Sequence, residues 1–432
     1  MKTPKDLYSD SLPILAFVPL VPSFFLVYRN LITLKFLDTS APRVPGLDLM
    51  RGIAILWVML FHFRFMIAMP HAFYWPARYG WMGVDLFFVL SGYLIGLQLL
   101  RPYLTGSTPS LAGFYFRRAF RILPAYLTVL ALYFAVPGFR EAPGISPAWQ
   151  FLTFTENLRI NYAVDRAFSH VWSLCVEEHF YLVLPLLILI LMRKPRFGKA
   201  LALILGILVF GIFIRGYIYL HQLRPLLLAG DDAFYLRYTE RIYYPTYTRL
   251  DGLLVGVVLA CIKTFRPLWW EKMLARGYLL GISGLLTCGC AMWLFRDRFS
   301  LSGTLVGFPL MSLGLGFLVA SSISPQVVGW LQRVLPGSWG GKIRSLSAHS
   351  FSLMATLAYS LYLTHKEISH LCRVHLSGYM QIGGWLALVI TFLASLITAC
   401  LLYLAIERPF LRLRERLSAR QSRSDAASAV AG

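Results

Sequence analysis

LDLMRGIAILWVMLFHFRFM, residues 47–66, is apolar from Gly52 to Phe61 and reads as a membrane span. Arg51 opens it, and His62 and Arg64 stand near its far end. A helix turns about 1100° over the interval from Arg51 to His62, three turns plus roughly 20°, so the two side chains share a face about 16 Å apart along the axis. Taken alone, the pair divides evenly between a functional alignment and a snorkelling arginine with an interfacial histidine.

The chain around this stretch has 432 residues, of which 57% are hydrophobic and 14% charged. Its mean hydropathy is +0.63. A soluble protein carries about 25% charged residues, so the composition points to an all-α polytopic membrane protein. The net charge of +21 does not argue for nucleic acid, because the basic residues sit in short connections and in the C-terminal tail. That distribution fixes orientation in a bilayer and suits anionic lipid head groups. Six scattered cysteines form no CxxC pair and no disulfide framework, and read as packing residues.

About ten spans are predicted in one bundle, near 50–69, 80–100, 123–137, 171–192, 200–220, 248–265, 277–295, 303–323, 350–369 and 381–405. With both ends of this core in the cytoplasm, the inner side holds the larger share of Lys and Arg. The C-terminus is therefore expected in the cytoplasm. Residues 1–45 read as an extension containing LPILAFVPLVPSFFLVY, either a kinked span or an interfacial segment. Residues 46–410 form the core, and residues 411–432 a basic tail expected to be disordered. No internal repeat or appended soluble domain is visible.

Ionisable residues inside a membrane are costly and mark candidate sites. In this topology Asp85, His170, Glu177, Glu178, His179, Arg249, Asp251, Tyr362 and His365 fall at one outer level, on four spans. Separate structural ion pairs are one explanation, and a shared polar cavity is the favoured one. Glu177 and Glu178 lie about 100° apart on a helix, so one faces a cavity and the other a packing partner. Glu178 is preferred as the acid serving His62, then Glu177, with Asp85 close behind. The inner level carries FYFRRAFRILP, where Arg118 and Arg121 share a face and Arg117 adjoins them. Guanidinium forks suit phosphate oxygens, although an ordinary positive-inside loop looks alike. Glu407 lies at the same level as a candidate partner for Arg51. Tyr235, Tyr238, Tyr243, Tyr244 and Tyr247 suit an interfacial belt better than a sugar platform.

These segments together resemble the acyltransferase-3 family of integral membrane acyltransferases, over roughly residues 46–410. The motifs are Arg51–x10–His62, GVDLFFVLSGYLI at 83–95, Arg118-x-x-Arg121, WSLCVEEHFYLVLP at 172–185, RLDGLLVG at 249–256, YSLYLTH at 359–365 and ERPF at 407–410. The resemblance implies transfer of an acyl group, usually acetyl, from cytoplasmic acyl-coenzyme A to a hydroxyl of a carbohydrate or another acceptor. It implies a catalytic His62 with Arg51 as its partner, and a donor site at Arg118 and Arg121. Trp172, Asp251, Tyr362 and His365 are candidate substrate contacts, and no metal is expected. The long segment before Arg51 departs from the family pattern, and no hydrolase-like domain follows the core. The rival from another class is a secondary transporter with an intramembrane proton relay. It explains the outer polar level but not paired arginines on the His62 axis.

Overall fold

The computed structural model describes residues 44–195, 197–334, 341–376, 378 and 384–431. The expectations for residues 1–43 lie outside the described residues. Helices account for nearly all of the architecture, and the β pairing among the described residues is an isolated bridge between Ile145 and Ala167.

The opening stretch forms α1, Pro45–Met66, started by a proline at its first position. A short helix, α2 (His71–Arg78), leads into α3, Met82–Leu100. The remaining long helices are α4 (Leu111–Ala135), α5 (Trp172–Met192), α6 (Phe197–Ile218) and α7 (Asp251–Phe265). After them come α8 (Pro267–Leu274), α9 (Gly277–Leu294), α10 (Phe308–Ile323), α11 (Pro325–Val334), α12 (Gly341–His375), α13 (Trp385–Leu402) and α14 (Arg408–Ala431).

Among the described residues, eight helical stretches are long and apolar enough to cross a membrane, or nine if α7 and α8, bent by 113°, count as one broken span. Ten were expected. The difference lies in α7, which has only 15 residues, and in the span predicted at 350–369. That segment belongs to α12, where Ser360, Thr364, His365, Lys366 and Glu367 dilute the apolar composition. The third span was also misjudged. It does not start after the arginines: α4 is one helix of 25 residues carrying Arg117, Arg118 and Arg121 in its first half and Pro124 within. After the last apolar helix, α14 runs helically over Arg408–Ala431.

Burial ranks the helices. In α3, 78% of the most apolar window is buried, against 17% in α6 and in α9. α3 is therefore the axis of the bundle, and α6 and α9 present apolar side chains outward, as lipid contact requires. Small residues let the axis pack closely. A methyl group on Gly92 would lie 2.0 Å from the Leu253 carbonyl oxygen, and one on Gly256 2.2 Å from that of Val89. The α3–α7 seam is thus backbone against backbone.

α1 and α12 lie side by side and run in the same direction. Gly52 packs against Phe351 and Met354, and ten residues on, His62 reaches His365. This parallel pair carries the polar site.

Candidate active site

Three histidines converge at the far end of α1 and α12. His62 Nδ1 is 2.9 Å from His365 Nε2 and 3.1 Å from the Val58 carbonyl oxygen. His365 Nδ1 lies 2.9 Å from the Leu361 carbonyl and 3.0 Å from that of Tyr362. A carbonyl only accepts, so His365 carries its proton on Nδ1 and offers a lone pair from Nε2. His62 in turn carries its proton on Nδ1, shared between Val58 and His365. Its Nε2 is left unprotonated, the state a general base needs.

His170 completes the cluster, with ring centroids 6.3 Å from His62 and 5.5 Å from His365. It is positioned by an unusual turn. Phe168 is fully buried with φ of 59°, a left-handed conformation rare for an aromatic residue. Its ring packs 4.2 Å from that of Tyr133, and its N–H donates to Glu141 Oε1 at 3.0 Å. Strain of this kind persists only where the surroundings enforce it, and it gathers at functional sites.

Glu141, His170 and Glu367 bring one ligand atom each within 4.8 Å of one another. The Lys366 ammonium is 2.7 Å from Glu141 Oε1 and supplies positive charge at that position, so a divalent ion would have to displace it. Neither ring nitrogen of His170 nor either oxygen of Glu367 has a hydrogen-bond partner among the described residues; the closest approach is 3.7 Å.

A cavity of about 990 Å³ lies on the other side of this cluster. Its lining climbs α12 through Ala355, Ala358, Tyr359 and Tyr362, and so ends one helical turn below His365. Tyr362 and Ser173 form the floor, with hydroxyl oxygens 2.6 Å apart. The Tyr362 hydroxyl also donates to the His170 carbonyl. The middle of the cavity is lined by Ser91, Glu177 and Tyr181, with Ser91 Oγ and Tyr181 Oη donating to the two Glu177 oxygens at 3.0 and 2.7 Å. The mouth is basic, lined by Arg51, Arg117, Arg118 and Arg121, and by Arg408, Arg412 and Arg414 of α14.

The sequence-derived candidates divide as follows. His62, His365 and Tyr362 come together, and Arg51 and the α4 arginines meet in the cavity mouth. Glu177, not the preferred Glu178, faces the cavity; Glu178 Oε1 is buried without a partner among the described residues. The Asp85 oxygens are both taken by Arg249 Nη2, at 2.7 and 2.9 Å. Asp251 is held by Arg215 through contacts of 2.7 and 3.2 Å. Trp172 stacks on Tyr244, centroids 5.2 Å apart, beside Arg249. These groups form a buried structural cluster on the α3–α7 side. The expected Arg51–Glu407 pair is replaced: Arg51 pairs with Asp48 at 3.0 Å, and Glu407 with Arg121 and Ser360. The hydrogen-bond partner that geometry gives His62 is a histidine, not an acid. Missed in the sequence were Ser173, Glu141 and the Lys366–Glu367 step. The run THKE at 364–367 was the available signal.

A model of the acyltransferase domain matches residues 44–404, most of the chain, including the histidine cluster and the α4 arginines. The chain belongs to the acyltransferase-3 family. O-acetyltransferase OatA of Staphylococcus aureus (strain NCTC 8325) is 26% identical to it over 351 residues, covering 76% of this chain and 51% of OatA. A protein of S. aureus (strain COL), provisionally named as an O-acetyltransferase, is 28% identical over 391 residues, covering 85% of this chain and 57% of the relative. The chain thus spans about half the length of the curated relatives it matches. No solved structure matches it. This acyltransferase-3 chain is a multi-pass membrane protein whose histidine cluster lies within the matched region, as does the cavity apart from the wall that α14 contributes.

Proposed function

We propose that the protein is a membrane O-acyltransferase. It takes an acyl group, acetyl in the first instance, from acyl-coenzyme A at the arginine-lined mouth and esterifies a hydroxyl of a carbohydrate or another acceptor at the histidine end. The observation that carries this reading is the single cavity leading from the guanidinium cluster to within one helical turn of the His62–His365 pair. A path running from charged residues to apolar and hydroxyl-bearing ones suits a thioester on a long thin arm, with the charged part of the donor left at the mouth.

In the reaction, His62 Nε2 accepts the proton of the acceptor hydroxyl as its oxygen attacks the thioester carbonyl. The carbon–sulfur bond breaks, the ester forms, and the thiolate takes up a proton as it leaves. His365 holds His62 in the productive tautomer. Tyr362 and Ser173 stand where the thioester arrives. Glu177, with Ser91 and Tyr181, offers hydrogen bonds along the way. Placing the arginine mouth on the cytoplasmic side of a bacterial inner membrane, with the C-terminus, gives the donor its supply and agrees with the charge bias of the connections.

The test uses detergent-purified full-length protein with acetyl-coenzyme A and measures thiol release without an acceptor, then with candidate glycans. Slow thiol release that requires His62 is the expected result. No release and no donor binding would remove the enzyme reading and leave the proton-relay transporter.

A further inference from the structure

Besides Arg51 of α1, two helices build the cavity mouth, and the family motif accounts for one of them. Arg117, Arg118 and Arg121 come from α4. Facing them, α14 contributes Arg408, Leu411, Arg412, Glu415 and Ser418. Those positions follow the three- and four-residue spacing of one helical face, so α14 lays a stripe along the cavity. Arg414 also reaches it and pairs with the exposed Glu415 at 3.5 Å.

The guanidiniums differ in depth. Arg118, Arg121 and Arg408 are half-buried, whereas Arg117 and Arg412 are exposed at the rim. They differ also in compensation. Arg121 has Glu407, and Arg118 donates to the neutral Gln98 at 3.3 Å. Neither Arg117 nor Arg412 has a carboxylate partner among the described residues. Two uncompensated forks on adjoining helices, both lining one opening, make an anion site, and a phosphate monoester suits them best, since its oxygens accept several charge-assisted hydrogen bonds at once.

Coenzyme A carries phosphate at two places. The diphosphate adjoins the pantetheine arm; the 3′-phosphate lies beyond it on the ribose. With the thioester at the deep end, the diphosphate falls at the half-buried arginines and the 3′-phosphate at the rim. We propose that Arg117 and Arg412 bind the 3′-phosphate of the donor, so that α14 completes a site selective for the 3′-phosphorylated nucleotide. The proposal rests on the donor reading given above.

Its test compares acetyl-coenzyme A with acetyl-dephospho-coenzyme A, which lacks only the 3′-phosphate, on full-length protein. The wild type is expected to show a KM at least about tenfold higher for the dephospho donor, with kcat little changed. Arg412→Ala is expected to raise KM about tenfold for acetyl-coenzyme A and to leave the dephospho donor unaffected. Arg117→Ala should behave alike, and the double variant should not distinguish the two thioesters. Thermal stability, read alongside, should be unchanged, since both side chains are exposed. Equal use of the two donors by the wild type, or an equal effect of Arg412→Ala on both, would overturn the proposal while leaving the coenzyme A reading intact. Failure of either thioester to bind or react would remove that reading, and the proposal with it.

Discussion

His62 Nδ1 is held by the Val58 carbonyl and by His365, whose own proton is committed to the start of its turn. One ring nitrogen therefore sets the orientation and the other is available for chemistry. His62→Ala should lower turnover by at least about 10²-fold, the smaller end of what a positioned base contributes, with unchanged thermal stability. His365→Phe keeps the Val58 contact and loses one hydrogen bond, so kcat should fall about five- to tenfold at unchanged donor KM. Single-turnover kinetics with labelled acetyl-coenzyme A would check both. Asp85 makes the opposite case. Its carboxylate neutralises the buried Arg249, and removing one member of such a pair costs about 3–5 kcal/mol. Asp85→Asn should therefore lower thermal stability, and Asp85→Asn combined with Arg249→Met should recover much of it. A fall in turnover with stability intact would return Asp85 to the chemistry. Glu156 lies in the connection between α4 and α5, fully buried with neither oxygen hydrogen-bonded among the described residues. Burial pushes its carboxyl well above the usual range, against a lowering pull from Lys366. The folded state then keeps the proton while the unfolded state releases it, so stability falls as pH rises above the ordinary glutamate range. Glu156→Gln should remove that slope, raising the melting temperature at pH 8 relative to wild type and changing little at pH 4.

Among the elements, α4 does two things with neighbouring arginines. Arg118 is half-buried, faces the cavity and donates to a neutral amide, so Arg118→Ala should act on donor binding alone, raising KM about tenfold for a charge-assisted contact. Arg121 also neutralises Glu407, which is 1% exposed. Arg121→Ala should add a stability loss of about 3 kcal/mol, the low end for a broken buried pair because the arginine is partly exposed. Melting curves beside donor titrations separate the two effects. This division was not legible in the sequence, where Arg118-x-x-Arg121 looked like one unit. Spacing did reveal what lies along a single helix. Arg51 and His62 share a face, and apolar runs located most of the spans. Contacts between helices were the part that did not show. Nothing in the one-dimensional pattern says that Asp85 meets Arg249 across 164 residues or that His62 meets His365 across 303. Which of Glu177 and Glu178 lines the cavity was hidden for the same reason: the face a residue presents depends on neighbours from other helices. The 350–369 span was legible as a helix, and the side chains that build the site keep it less apolar than the long helices before it.

At the scale of the whole molecule, the bundle hangs on the close α3–α7 seam. Gly256→Val would drive a side chain into the Val89 carbonyl, and it should leave no folded protein after detergent extraction, as judged by size exclusion. Substitutions of equal size on the outward faces of α6 and α9 should be tolerated. The floor made by Tyr362 and Ser173 has a different consequence. A bilayer that holds an ion gradient cannot tolerate a wet passage through one of its proteins, and here a large chamber with a basic mouth reaches two hydroxyls in contact with one another. On the proposed function, those hydroxyls would serve as a plug as well as facing the thioester. Liposomes containing Tyr362→Ala should lose an imposed proton gradient faster than liposomes containing the wild type, whether or not any donor is present. A cell making the variant would then have less energy stored across its membrane as well as less enzyme activity.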